Sequence, residues 1–84
     1  MSPKQKKLDP SSKVGRIVFQ MKDISVRMKP DVRAIVVRIF NTLESTDPDD
    51  AGLRFRLRDD LEKLGREPQL AGLARRLFKE LPST

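Results

Sequence analysis

The side chains of this sequence that can do chemistry are carboxylates and cations. Histidine and cysteine, which supply the usual general base at neutral pH, the thiol nucleophile and most transition-metal ligands, are both absent. The carboxylates concentrate in two clusters, at residues 47–50 and 59–62, and no glycine-rich phosphate-binding loop accompanies them. The sequence therefore predicts a protein that binds a partner, with no enzymatic activity, no cofactor and no metal site.

The first carboxylate cluster has the oxygen ligands that a hard cation such as Ca²⁺ prefers. Its spacing departs from the calcium loop, since Pro48 interrupts it and the downstream glycine and glutamate are missing. The cluster is instead typical of a helix start, where Asp47 caps, Pro48 takes the first helical position, and Asp49 and Asp50 favour the positive end of the helix dipole. We therefore expect a helix to begin near Pro48.

The second carboxylate cluster falls inside a predicted helix. Its three acidic residues lie within helical reach of three cations; the set comprises Asp59, Asp60 and Glu62 with Arg56, Lys63 and Arg66. Opposite charges three or four residues apart stabilise a helix modestly. We expect these carboxylates to form local ion pairs.

Apolar residues recur at helical spacing in four stretches, residues 14–21, 32–43, 53–64 and 70–81. Residues three and four apart share one face of a helix, so each stretch predicts an amphipathic helix. The economical arrangement is an all-α fold, a compact bundle of four short helices around one core, with Gly52 leaving room for a fifth short helix.

The ends of these helices carry recognisable signals. A serine at position 11 or 12 can cap the first helix, and Pro30 and Pro68 suit the first positions of the second and fourth. Gly65 can adopt the left-handed conformation that ends a helix, and Pro82 cannot continue the last one. Gly15 is the weakest point of the first helix, because glycine disfavours helix interiors.

Composition limits the size and surroundings of the protein. The chain has 84 residues and a net charge of +6 at pH 7, which fits one small domain with a basic surface. Residues 1–11 are rich in lysine and proline, so we predict a disordered basic tail followed by a single domain over residues 12–84. No apolar run approaches the roughly 20 residues that span a bilayer. We expect a soluble intracellular monomer that does not bind membranes.

A competing prediction concerns Ile24, Val26 and Met28, which alternate with polar residues in the period of a strand. A short strand followed by two helices is similar to the ribbon-helix-helix DNA-binding dimers. Those proteins have no amphipathic helix before the strand and no fourth helix. The bundle is therefore the preferred prediction.

Three stretches resemble a known family. Residues 12–24 (SKVGRIVFQMKDI) and 30–44 (PDVRAIVVRIFNTLE) are similar to the opening of the integrase-binding domain of lens-epithelium-derived growth factor, which belongs to the TFIIS N-terminal domain group. Residues 69–79 (QLAGLARRLFK) resemble the closing helix of that group. The chain departs from the family where an isoleucine-glycine-lysine segment and a tryptophan are expected. Met28 or Lys29 also replaces the acidic residue of the first interhelical loop.

The resemblance implies a nuclear scaffold that binds short disordered segments of transcription or chromatin factors. In that family, a phenylalanine of the partner sits between interhelical loops. The corresponding partner-binding residues here are Ile24, Val26, Arg27, Met28, Lys29, Leu64 and Arg66. An apolar patch rimmed by cations would suit an acidic, phenylalanine-containing segment.

The alternative function is nucleic-acid binding. The cations that would supply the positive field are Lys4, Lys6, Lys7, Lys13, Arg16 and Arg33. Tyrosine and tryptophan, which offer stacking platforms for bases, are absent. The alternative therefore predicts weak, salt-sensitive contact with nucleic acid, mainly through the basic tail.

Overall fold

The computed structural model describes residues 8–47 and 49–82 of the chain. Four helices follow one another in these ranges, namely α1 (Lys13–Ser25), α2 (Pro30–Ser45), α3 (Gly52–Leu64) and α4 (Pro68–Glu80), and the ranges contain no strand. None of the four helices is both long and apolar enough to cross a membrane. The prediction of an all-α bundle is confirmed.

The helices form a ring in which each one packs against two neighbours. Helix α1 contacts α2 and α4, and α3 contacts the same two helices from the opposite side. The start of α1, the end of α2, the start of α3 and the end of α4 line one cavity, which includes Val14, Leu43, Leu53 and Leu81. Successive helices therefore run in opposite directions, and connections 26–29 and 65–67 lie together at the other end, called the loop end below.

The core is aliphatic. Its largest fully buried side chains come from all four helices and are Val18, Met21, Val36, Ile39, Leu53, Leu57, Leu64, Leu70 and Leu77. Burying each such side chain contributes about 1.5–3 kcal/mol. The helical stripes predicted from the sequence therefore supply the core.

Three of the four phenylalanines pack against the edge of this core and are partly buried. Phe19 and Phe40 join α1 to α2 edge to face, with ring centroids 5.6 Å apart, and the Lys22 ammonium lies 4.1 Å from the Phe40 centroid. Phe78 is partly buried, but Phe55 is 78% exposed. Phe55 is therefore the one phenylalanine that does not pack against the core. It follows Leu53 by two positions, about 200° around α3, and so lies on the outer face.

The segment before α1 differs from the predicted tail. Leu8 is 2% exposed and belongs to the core. The Asp9 carbonyl accepts hydrogen bonds from the Ser12 backbone N–H at 3.0 Å and from its hydroxyl at 2.7 Å, so the chain folds back against α1. The remainder of the predicted tail, residues 1–7, lies outside the described residues.

Gly15 allows this segment to pack closely. It is buried inside α1, and a Cβ added there would collide with the Asp9 carbonyl oxygen. The backbone N–H of Gly15 donates to the Ser12 hydroxyl at 3.0 Å, which confirms Ser12 as the cap of α1. Gly15 therefore weakens α1 intrinsically, but its lack of a side chain allows the backbone at Asp9 to pack against the helix.

Helix α3 begins at Gly52, later than predicted. Pro48 lies outside the described residues, and Asp47 closes a turn by accepting from the Asp49 N–H at 3.0 Å. Asp50 is the carboxylate next to the helix start, since its Oδ1 accepts from the Gly52 N–H at 2.8 Å. Aspartate readily bonds to the backbone two residues on, and this local turn displaces the predicted cap.

The prediction of a left-handed Gly65 is also wrong. Its φ is −64°, and its N–H donates to the Leu61 carbonyl at 2.9 Å. The chain continues in tight turns, with the Glu67 N–H donating to the Leu64 carbonyl at 3.0 Å, until Pro68 starts α4. These turns satisfy the last carbonyls of α3, so no left-handed residue is needed.

The strand of the ribbon-helix-helix alternative is absent from this part of the chain. Ile24 and Ser25 form the last turn of α1, and the Met28 N–H donates to the Ser25 carbonyl at 2.9 Å to close a turn. Ile24 packs against the core beside the α1 stripe that contains Met21. Helical spacing therefore prevails over the short alternation.

Candidate functional site

A groove with a volume of about 590 Å³ runs between α3 and α4. We call it the α3–α4 groove and define it by its lining residues. Helix α3 and the turn after it contribute Arg58, Leu61, Glu62, Gly65 and Arg66, and α4 contributes Ala71, Ala74, Arg75, Phe78 and Lys79.

The floor of the groove is apolar. Leu61 and Ala74 are buried, and Ala71 and Phe78 are partly buried. On α4 the floor residues recur at spacings of three and four, which places them in a line along one flank of the helix. The side chains of Ala71 and Ala74 are small, so the backbone of a partner can approach this flank of α4 closely.

The rims of the groove are basic. Four exposed cations, Arg58, Arg66, Arg75 and Lys79, stand against a single exposed carboxylate, Glu62. None of these four cations forms an ion pair with a carboxylate of the described residues. An anionic partner would therefore meet an attractive field on both sides of an apolar floor.

Arg54 fixes the end of the groove nearest the C-terminus of α4. Its guanidinium carbon lies 4.7 Å from the centroid of the Phe78 ring. Its Nη2 donates to the Leu81 carbonyl at 3.2 Å and to the Lys79 carbonyl at 3.5 Å. A cation at the negative end of a helix dipole is favourable, and here it also holds a floor side chain in place.

An ion pair fixes the other flank of α3 against α2. Arg38 donates from Nε to Asp60 Oδ2 at 3.0 Å and from Nη2 to Asp60 Oδ1 at 2.7 Å. Hydrogen bonding to Asp60 and the charge of that carboxylate raise the pKa of Arg38. The expectation of local ion pairs in the second carboxylate cluster is wrong, because Asp60 pairs across to α2 and neither Asp59 nor Glu62 forms an ion pair within the described residues. Asp60 is buried at the α2 interface, where a bidentate arginine satisfies both of its oxygens.

The predicted partner-binding residues gather near the loop end, but only some reach the surface. Val26 is 60% exposed, and Arg27, Lys29 and Arg66 are also exposed. Ile24 and Met28 are partly buried and pack against the core. Leu64 is 0% exposed, so the expectation of an exposed Leu64 is wrong. It shares the core stripe of α3 with Leu57. Of this predicted set, Arg66 alone lines the α3–α4 groove.

The residues of the nucleic-acid alternative are not brought together in the described part of the chain. Lys4, Lys6 and Lys7 lie outside it. Lys13 and Arg16 are exposed in the first turns of α1, whereas Arg33 is exposed in the first turns of α2, near the loop end. Because α1 and α2 run in opposite directions, Lys13 and Arg33 lie towards opposite ends of the bundle.

Nine of the ten residues that line the groove are not among the predicted site residues, and Arg58, Arg75, Phe78 and Lys79 belong to these nine. One signal was present, because Arg75 and Lys79 flank the apolar stripe of α4 at a spacing of four. The family resemblance pointed to the loops instead. Which helix flanks meet becomes visible only in the folded bundle.

Comparison of the chain with protein-family models, curated proteins and solved structures finds no match. The resemblance to the TFIIS N-terminal domain group therefore stays a prediction. The class of protein that fold and site define is a four-helix bundle with an apolar, cation-rimmed surface groove.

Proposed function

We propose that the protein is a non-enzymatic interaction module that binds a short, acidic, disordered segment of a partner protein in the α3–α4 groove. The supporting observation is the apolar floor between rims that carry four cations and one carboxylate. Apolar contact with the floor supplies most of the binding free energy, and the rim charges supply orientation and selectivity.

The groove takes the place of the loop site that the resemblance implies. Leu64, the apolar member of that site from α3, is buried in the core and cannot contact a partner. The groove offers Leu61 and Phe78 instead, and it retains Arg66 from the implied set. A phenylalanine of the partner would lie on this floor, flanked by its own carboxylates.

The expected affinity is modest. A disordered segment loses conformational entropy when it binds, and exposed ion pairs contribute only about 0.2–1 kcal/mol each. We expect a Kd on the order of micromolar. Such an affinity suits a reversible recruiting module.

A chemical-shift titration tests the proposal. Isotope-labelled protein is titrated with an acidic, phenylalanine-containing peptide, and a second peptide with lysine at every acidic position serves as the control. We expect saturable shifts of the Arg58, Gly65, Ala71 and Arg75 amides with the acidic peptide alone. Equal shifts with both peptides, or shifts confined to residues 26–29, would contradict binding in the groove.

A second candidate function is nucleic-acid binding, which the net charge of +6 and the basic rims support. Attraction of phosphates by charge alone depends on the total number of cations. Reversing a rim cation and reversing a cation outside the groove should then weaken binding equally. A nucleic acid that binds more tightly than the acidic peptide at about 0.15 M salt would favour this candidate.

The proposal extends to a partner among transcription or chromatin factors and to a nuclear location, which the family resemblance implies. Fluorescently tagged chain in a nucleated cell should then accumulate in the nucleus, and uniform distribution would contradict this extension. Sedimentation should show a monomer, because the proposed groove is complete within one chain.

A further inference from the structure

We infer that the segment bound in the α3–α4 groove is an amphipathic helix whose apolar stripe is flanked by carboxylates on both sides. This inference rests on the proposed function and specifies the conformation and charge pattern of the partner. It follows from the shape of the floor, the placement of the rim cations and the position of Glu62.

The floor is a straight strip along the axis of α4. Ala71, Ala74 and Phe78 cover about 10 Å of that axis at 1.5 Å per residue, and Leu61 closes the strip from α3. A helix laid along the strip would contact it through residues at spacings of three, four and seven. The small side chains of the two alanines let such a helix lie close to α4.

The rim cations stand on both sides of the strip. Arg75 and Lys79 are four residues apart on α4, and Arg58 and Arg66 are eight residues apart on the α3 side. A helix directs the residues beside its apolar stripe sideways, towards both rims. An extended segment alternates between the floor and solvent, so its carboxylates would point away from the protein. A helix is the conformation that fills the floor and neutralises both rims.

Glu62 places a negative charge between the two arginines of the α3 rim. It lies four residues from Arg58 and four from Arg66, so the charges along this rim read plus, minus, plus. A carboxylate of the partner opposite Glu62 would be repelled. The partner helix should therefore carry acidic residues opposite the two arginines and a neutral or basic residue between them. Opposite Arg75 and Lys79 it should carry two acidic residues.

A second copy of this chain does not fit the groove. Within the described residues its most exposed large apolar side chain is Phe55. Each copy carries a net charge of +6 at pH 7, so a second copy brought against the basic rims would set cations against cations. The occupant is therefore an acidic helix from another protein.

The test uses three peptides with one tryptophan each. The protein has no tryptophan or tyrosine, so the peptide is the sole indole emitter. The first peptide places leucines at helical spacing with glutamates on both flanks, and the second reorders the same residues into strict alternation. The third is the first with one central residue outside the stripe replaced by proline. Fluorescence titration gives the affinities, and circular dichroism reports helix formation on mixing.

We expect the first peptide to bind with a gain of helix, and the other two to bind at least about tenfold more weakly. Equal affinity of all three peptides, with no gain of helix, would overturn this inference while leaving the groove as a docking site. Saturable binding by none of them would overturn both this inference and the proposed function. Equal binding of the first peptide by the native protein and by Arg58→Glu would show that it docks elsewhere, which also overturns both.

Discussion

Replacing Gly15 by alanine tests how the segment before α1 joins the bundle. Gly15 lies inside α1, where alanine is intrinsically better by about 0.5–1 kcal/mol. A Cβ at this position collides with the backbone carbonyl of Asp9, which cannot rotate away as the end of a side chain can. In Gly15→Ala, the gain in helix propensity is therefore opposed by the loss of packing of the segment that carries Leu8. We expect the loss of packing to be the larger of the two effects on stability.

The magnitude follows from what is lost if Asp9 moves. Leu8 is 2% exposed, so its release costs about 1.5–3 kcal/mol of apolar burial. The Asp9 carbonyl also loses its two hydrogen bonds from Ser12, each worth about 0.5–1.5 kcal/mol. After the gain in helix propensity, Gly15→Ala should lower the free energy of unfolding by about 2–5 kcal/mol.

Urea denaturation followed by far-UV circular dichroism measures this change. Gly72 is the matched control, because it is exposed within α4 and an added Cβ meets no atom within 4 Å. Gly72→Ala should raise the free energy of unfolding by up to about 1 kcal/mol. Leu8→Ala should cost about 2–5 kcal/mol alone and much less beside Gly15→Ala. If Gly15→Ala stabilises the protein as Gly72→Ala does, the packing of Leu8 against the bundle is refuted.

Three further predictions concern the core, the groove and the α2–α3 ion pair. Leu64→Ala should lower the free energy of unfolding by about 2–5 kcal/mol, whereas Phe55→Ala should change it by less than about 0.5 kcal/mol; similar losses in urea denaturation would mean that Leu64 is not buried. Glu62→Lys should tighten binding of a helical peptide that is acidic at every flanking position by about twofold to tenfold. The control is Asp23→Lys on the exposed face of α1, which should not tighten binding. Equal effects of the two variants in a fluorescence titration would contradict binding in the groove. Asp60→Asn should lower the urea midpoint. The pKa of Arg38 is raised, so the stability that its pairing with Asp60 contributes is fully present below the ordinary pKa of arginine and is lost only as the pH rises through the raised pKa. That contribution to stability should therefore be constant between about pH 5 and 9. A difference in urea midpoint between the native protein and Asp60→Asn that shrinks steadily between about pH 7 and 9 would contradict a charged Arg38.

Helical periodicity predicted the core because each stripe is repeated several times within one helix. The α2 stripe that includes Val36 and Ile39 is an example, and both side chains are 0% exposed. Ser12, Pro30 and Pro68 mark helix starts through local chemistry, so they too could be predicted.

Contacts between distant segments could not be predicted in the same way. Leu8 is a single apolar residue in a polar stretch and therefore has no period, and its burial depends on the contact between Asp9 and Gly15. Nothing in the sequence distinguishes Asp60, which is buried, from the exposed carboxylates beside it in the same cluster. Its pairing with Arg38 depends on which flank of α3 faces α2. Both features require the packing of the bundle.

The groove could be predicted only in part. The spacing of Arg75 and Lys79 beside the α4 stripe indicates basic rims, but the opposite rim comes from Arg58 and Arg66 on another helix. Leu64 is a predicted partner-binding residue, yet its position on the buried stripe of α3 places it in the core. The site therefore emerges from the pairing of α3 with α4 and not from either helix alone.

The central claim is that the α3–α4 groove binds an acidic segment, and a comparison of Arg75→Glu with Arg76→Glu tests it most directly. Both arginines are exposed neighbours on α4, but only Arg75 lines the groove, so the two variants have the same net charge and differ in position. Far-UV circular dichroism first verifies that both variants are folded, and fluorescence titration with the acidic helical peptide then gives their affinities. We predict that Arg75→Glu weakens binding about threefold to tenfold and Arg76→Glu less than about twofold. Equal weakening by the two variants would contradict the claim.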